Sequence, residues 1–129
     1  RDISQFPEAL PIPRVLIIRI DESLYFANAQ YLDRYLRNTI ADSNDIDYLI
    51  LVCDAMNWLD ANALQILEQL MQDLQRVDVT VYITQVNVKV HLRIKRAGFL
   101  DRVGRERFFD RTHDAVLATG TLLDDELPI

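Results

Sequence analysis

Two carboxylates bracket a short loop in the middle of the chain: Asp54 and Asp60, within CDAMNWLDANAL. An apolar run, YLILVC, precedes them, and an apolar-periodic segment, ALQILEQLMQDL, follows. Acids at the end of a buried strand could hold a magnesium ion, because hard cations prefer carboxylate oxygens. The glycines that would let a backbone cradle a phosphate are missing. The whole chain has only three, and they form neither a Walker A loop nor a dinucleotide fingerprint. Asp60 is better read as a helix N-cap. Its side chain can accept a free N–H of the first turn, and its charge suits the helix dipole. Cys53 lies inside the apolar run with no adjacent base, so it reads as a small core residue rather than a nucleophile. His91 and His113 stand alone, outside any metal-ligand spacing. No catalytic, cofactor or metal constellation emerges, and an interaction or regulatory module is expected instead of an enzyme.

Contact surfaces are the remaining chemistry. Trp58 stands in the loop before the long helix, a position from which it either covers the core edge or anchors a partner. Its neighbours Asn57, Leu59, Asp60, Ala61 and Asn62 make up the candidate interaction loop and helix start. Tyr25, Phe26 and Asn28 form a second candidate patch, beside Tyr31 and Tyr35. Net charge is −6, which excludes a general nucleic-acid binder. The segment from Val88 to Arg111 carries eight basic residues and three acids, a net +5 that leaves −11 on the remainder. Such a segment either is a solvated face or docks an acidic partner or an anionic leaflet.

The elements that would position these residues alternate. Arg14–Ile20, Tyr48–Cys53 and Val79–Val86 read as buried strands, with Arg107–Phe109 as a shorter one. LYF, at Leu24–Phe26, reads as a short strand or a loop edge. Asn28 suits the N-cap of a helix through Leu32, Leu36 and Ile40. Ala63, Leu64, Leu67, Leu70, Met71 and Leu74 mark a helix of about sixteen residues. Thr112 is placed as the N-cap of a last helix. Val86, Val88, Val90, Leu92 and Ile94 alternate with polar residues, and pattern alone favours a strand there. Gly98, after Lys95 and Arg96, looks like a helix C′ glycine. Alternating elements imply an α/β class with a mostly parallel sheet.

The chain of 129 residues suits a single domain with its core at about 14–119. No apolar run reaches the roughly 18 to 20 residues of a membrane helix, and RDISQFPEAL lacks a signal-peptide h-region. One cysteine excludes an internal disulfide and fits a reducing compartment. The chain opens on Arg1 instead of Met, so it reads as a piece of a longer protein.

Three stretches together resemble the STAS domain of SulP-type anion transporters, the sulfate permease family. They are VLIIRIDESLYFANAQYLDRYL, YLILVCDAMNWLDANALQILEQL and IKRAGFLDRVGRERFFDRTHDAVLAT. The resemblance implies a mixed, mostly parallel sheet of four to five strands flanked by about four helices. It also implies that Val88–Ala97 is a helix, against the alternation. By this resemblance the chain is a cytoplasmic C-terminal regulatory domain. It would be soluble itself but part of a multi-pass protein of the inner membrane. Residues 1–13 would lead in from the membrane region, and residues 120–129 would be a tail. Implied partners are the transporter's own membrane domain, a second copy in a transporter homodimer and an unidentified cytosolic regulator. The short RNTIADSNDIDYL, without the insertion of many animal members, implies a bacterial member. The anti-sigma factor antagonists, which share the fold, place a phosphorylated Ser or Thr directly after the aspartate. That position is Ala61 here, followed by Asn62 where they have glycine. Without a hydroxyl, that switch cannot operate. A free-standing antagonist-like switch, or an anion- or nucleotide-sensing module, is the alternative. The first turn near Ala61 does offer the N–H groups that anions favour.

Overall fold

The computed structural model describes the backbone of residues 3–5, together with residues 12–43 and 45–120. Most of the expected lead-in and tail fall outside these residues. Five strands, β1 (Ile3–Gln5), β2 (Val15–Ile20), β3 (Tyr48–Val52), β4 (Thr80–Thr84) and β5 (Phe108–Phe109), form one sheet in the order β1-β2-β3-β4-β5. β1, which the sequence pattern did not reveal, runs antiparallel to β2; the other pairings are parallel. The helices are α1 (Phe26–Ser43), α2 (Ala61–Arg76), α3 (Val88–Arg96), α4 (Phe99–Val103) and α5 (Thr112–Thr119). The architecture is the mixed, mostly parallel α/β sheet expected.

Both sheet faces are covered, which is why the central strands are nearly continuous apolar runs. Along β3 the period of two sends Leu49 and Leu51 to one face and Ile50 and Val52 to the other. The first pair joins the core beneath α1, α2, α3 and α4. The second packs with Tyr82 under Ala115 and Val116 of α5. All four β3 residues are 0–1% exposed. Asp73 ties α1 to α2: it accepts hydrogen bonds from Gln69 and Arg76 and pairs with Arg37 at 2.9 Å. These donors, Gln69 first and then Arg37 and Arg76, hold its carboxyl below the usual carboxylate range.

Three local expectations need correction. Val86–Ile94 is not the strand that alternation favoured; from Val88 it is the helix that the resemblance implied, and Asn87 caps α3 by accepting from the Val90 N–H at 2.9 Å. Within α3 only Val90 and Ile94, one turn apart, are buried, whereas Val88 and Leu92 are 76% and 44% exposed. The alternation combined one buried helical pair with one exposed pair. Asn28 is not an N-cap either, because α1 already begins at Phe26. Its Oδ1 reaches back to accept from the Tyr25 N–H at 2.7 Å, the return half of a capping box. Thr112 likewise leaves α5 uncapped; its hydroxyl instead pairs with that of Thr84 at 2.9 Å. Gly98 does end α3 as expected, with φ +79° and its N–H donating to the Lys95 carbonyl.

Candidate functional site

The loops leaving β2, β3 and β4 meet at the carboxyl end of the parallel strands, where such sheets bind ligands. The central loop runs from Cys53 to Asp60 and is held from three sides. Ser23, after β2, accepts two of its backbone donors: Asn57 N–H at 3.1 Å and Trp58 N–H at 2.9 Å. Leu24 and Leu59 form a parallel bridge, with Leu24 N–H to Trp58 carbonyl at 3.0 Å and Asp60 N–H to Leu24 carbonyl at 3.1 Å. Asn87, after β4, donates to the Met56 carbonyl at 3.1 Å and to Asn57 Oδ1 at 3.3 Å. Arg93 of α3 completes the frame. Its Nε donates to the Leu59 carbonyl, and its guanidinium carbon sits 4.2 Å over the centre of the Trp58 ring. That distance lies within cation–π range.

The two patches expected from sequence are therefore neighbours. Asn28 Nδ2 donates to the Ser23 carbonyl at 2.8 Å, and Ser23 carries the Asn57–Trp58 backbone. Tyr25 and Phe26 are about half exposed, at 51% and 49%. Asn57, Ala61 and Asn62 are exposed, and Trp58 is 41% exposed. Trp58 lies under Arg93, with part of its ring at the surface. Leu59 differs from the rest of its group. At 2% exposure it is a core residue that anchors the loop. Ser23, Asn87 and Arg93 were missed in the sequence, because their partners lie more than 30 residues away. No local motif announces such bonds.

The acids at this end are committed to structure. Asp60 Oδ1 accepts from the Ala63 N–H at 2.8 Å, the N-cap expected. Asp54 receives Arg19 Nε at 3.0 Å and Nη2 at 3.2 Å. Among the described residues no group of three His, Cys, Asp or Glu side chains is placed to hold a metal. Asp60→Ala is expected to lower stability by about 0.5–2 kcal/mol in urea unfolding, with Asp60→Ser recovering most of it. Equal midpoints for Asp60→Ala and the parent would refute the cap's contribution.

Between the loop and α3 lies an open cleft of about 410 Å³. Trp58, Ala61 and Leu92 supply apolar wall, and Lys89, Arg93 and Arg96 supply charge. No acid lines it.

Among the described residues, no helix is long and apolar enough to cross a membrane. A family model described as STAS domain matches residues 6–115. Over 126 residues the chain is 36% identical to sulfate transporter 4.1, chloroplastic, of Arabidopsis thaliana, covering 90% of this chain and 18% of that protein. The chain spans about a fifth of the length of the curated relatives it matches. A SulP transporter STAS domain from Vibrio cholerae superposes with a TM-score of 0.70 at 22% identity, covering 87% of this chain and 84% of that one. The murine Solute Carrier 26 family member A9 anion transporter superposes with a TM-score of 0.75 at 23% identity, over 91% of this chain and 19% of that one.

Proposed function

The chain belongs to the STAS domain family, and from that membership we propose that it is the cytoplasmic, non-enzymatic regulatory domain of a sulfate-type anion transporter. The observation that carries the proposal is the similarity to sulfate transporters over nearly all of this chain but only about a fifth of theirs. Transport would then reside in the other four-fifths, and this domain would act by contact. The surface formed by Asn57, Trp58, Ala61 and Asn62, continued by Tyr25 and Phe26, is the contact face. Leu59, Asp60 and Asn28 hold it in place from below. Its partners are the membrane domain of the same transporter, a second copy within a transporter dimer, or a cytosolic regulator.

Ala61 favours contact over a phosphorylation switch. It is exposed on the first turn of α2 and carries only a methyl group. Two measurements test the proposal. Sequencing the reading frame around Arg1 should reveal several apolar spans; a frame without them would sink the transporter reading. In the full-length protein, Trp58→Ala combined with Asn57→Ala should change sulfate uptake, although the isolated chain loses only about 1–2 kcal/mol of stability and stays folded. Unaltered uptake would remove this face from regulation.

A further inference from the structure

We propose that the α3 side of this face takes a short acidic segment of a partner protein, one that carries apolar anchors beside its carboxylates. The inference rests on the contact-face reading and assigns the partner's chemistry.

Lys89, Arg93 and Arg96 follow spacings of four and three along α3 and so share one face of the helix. All three line the cleft. Among the described residues none of them makes an ion pair. Six of the nine other described arginines do: Arg14 pairs with Asp47, Arg19 with Asp54, Arg37 with Asp33 and Asp73, Arg76 with Asp73, Arg102 with Glu68 and Arg105 with Asp101. In a chain of net charge −6, three cations on one cleft, outside any ion pair among the described residues, make a local positive field that attracts negative charge. Beside them, among the described residues, Val88, 76% exposed, and Leu92, 44% exposed, stand uncovered one turn apart on α3, and Trp58, 41% exposed, lies beneath Arg93. An apolar stripe beside a basic row is the complement of an amphipathic helix laid into a groove. Arg93 is already fixed by Trp58 and the Leu59 carbonyl, so less side-chain freedom is lost when it is engaged.

The charge outside Val88–Arg111 selects among anions. A net −11 there opposes an extended polyanion or an anionic leaflet, whose charge would reach well beyond the cleft. A short acidic segment confines its carboxylates to the basic row. The apolar stripe is too large a feature for a small inorganic anion to need.

Trp58 is the only tryptophan, so its emission reports on the cleft alone. The experiment selects a displayed library of short random peptides on the protein, then titrates the enriched peptides against parent and Lys89→Glu/Arg96→Glu double variant. Enriched sequences should combine Asp or Glu with Leu, Phe or Met and should shift Trp58 emission. They should bind the double variant about tenfold or more weakly. Both substituted side chains are exposed and without ion pairs among the described residues, so the variant should keep the parent's unfolding midpoint. Leu92→Ala should also weaken binding, which separates an apolar anchor from charge alone. Neutral or basic enriched peptides that still lose affinity on Trp58→Ala, read by labelled-peptide anisotropy, would overturn the acidic partner and leave the contact face standing. Acidic peptides that bind the double variant as tightly as the parent would overturn the assignment to α3. No enrichment would overturn both the acidic partner and the contact face. A Trp58 shift with phosphatidylserine vesicles but not with acidic peptides would replace the protein segment by a lipid surface.

Discussion

Leu59→Ala is expected to cost about 2–5 kcal/mol of stability, the range for deleting a buried leucine and leaving a cavity. Although flanked by exposed Trp58 and half-buried Asp60, Leu59 is 2% exposed and belongs to the main core with Leu24, itself 2% exposed. The bridge between these two leucines joins the loop after β3 to the loop after β2. Shortening the side chain therefore both empties part of the core and loosens the platform under Trp58. The Leu59 carbonyl is also the acceptor for Arg93, so a displaced backbone disturbs the arginine above the ring. Trp58→Ala is the contrasting case. Its ring is 41% exposed, and a surface cation–π contact contributes only about 0.5–1 kcal/mol. Urea unfolding of the two variants ranks them. If Leu59→Ala loses less than Trp58→Ala, Leu59 is not the loop's anchor. Leu59→Met, which nearly conserves volume, should stay within about 1.5 kcal/mol of the parent.

That ranking cannot be read from NWLDANAL alone. Asp60 could be placed from sequence because capping is a local rule: an acid just before an apolar-periodic run finds its partner three residues ahead. Leu59 depends on Leu24, and Asn57 and Trp58 depend on Ser23, all far along the chain. α3 misled the pattern alone, while the family resemblance placed it as a helix. Lys95, Arg96 and Gly98 carried helix-end chemistry, while the capping amide of Asn87 went unread. The alternation of Val88, Val90, Leu92 and Ile94 favoured a strand by itself, because pattern analysis treats every apolar residue as buried. Two of these four are not buried. Asn28 shows the same limit on a smaller scale: a capping-type residue was recognised, but which end of the turn its amide would satisfy depended on where α1 starts. The α/β class and the main core were legible throughout, since β2, β3, β4 and α2 each combine strong periodicity with a clear boundary.

The second large effect concerns pH, and it comes from a side chain with no part in the contact face. Cys53 is 2% exposed, and its thiol lies 3.7 Å from the Leu51 carbonyl, to which it donates. Burial pushes the thiol from its ordinary 9.0 up to about 12, with the Asp54 charge adding to the shift. The folded state therefore keeps its proton where the unfolded chain has lost it. By linkage, stability is unaffected below about pH 9 and falls as pH rises from about 9 toward 12. At about 1.4 kcal/mol per pH unit, the loss across that window comes to about 4 kcal/mol. Tyr82, also raised by burial, contributes in the same direction, so the thiol must be isolated by comparison. Urea unfolding of the parent and Cys53→Ala from pH 8 upward does this, because every other titrating group is common to both. The parent's stability should decline more steeply above pH 9, and the gap between the two curves should open progressively toward pH 12. Parallel curves would mean that the thiolate forms as easily in the folded protein as in the unfolded one. Thiol-directed reagents give an independent check at neutral pH: labelling of Cys53 should proceed only as fast as the chain opens, and should accelerate in Leu59→Ala as stability is lost.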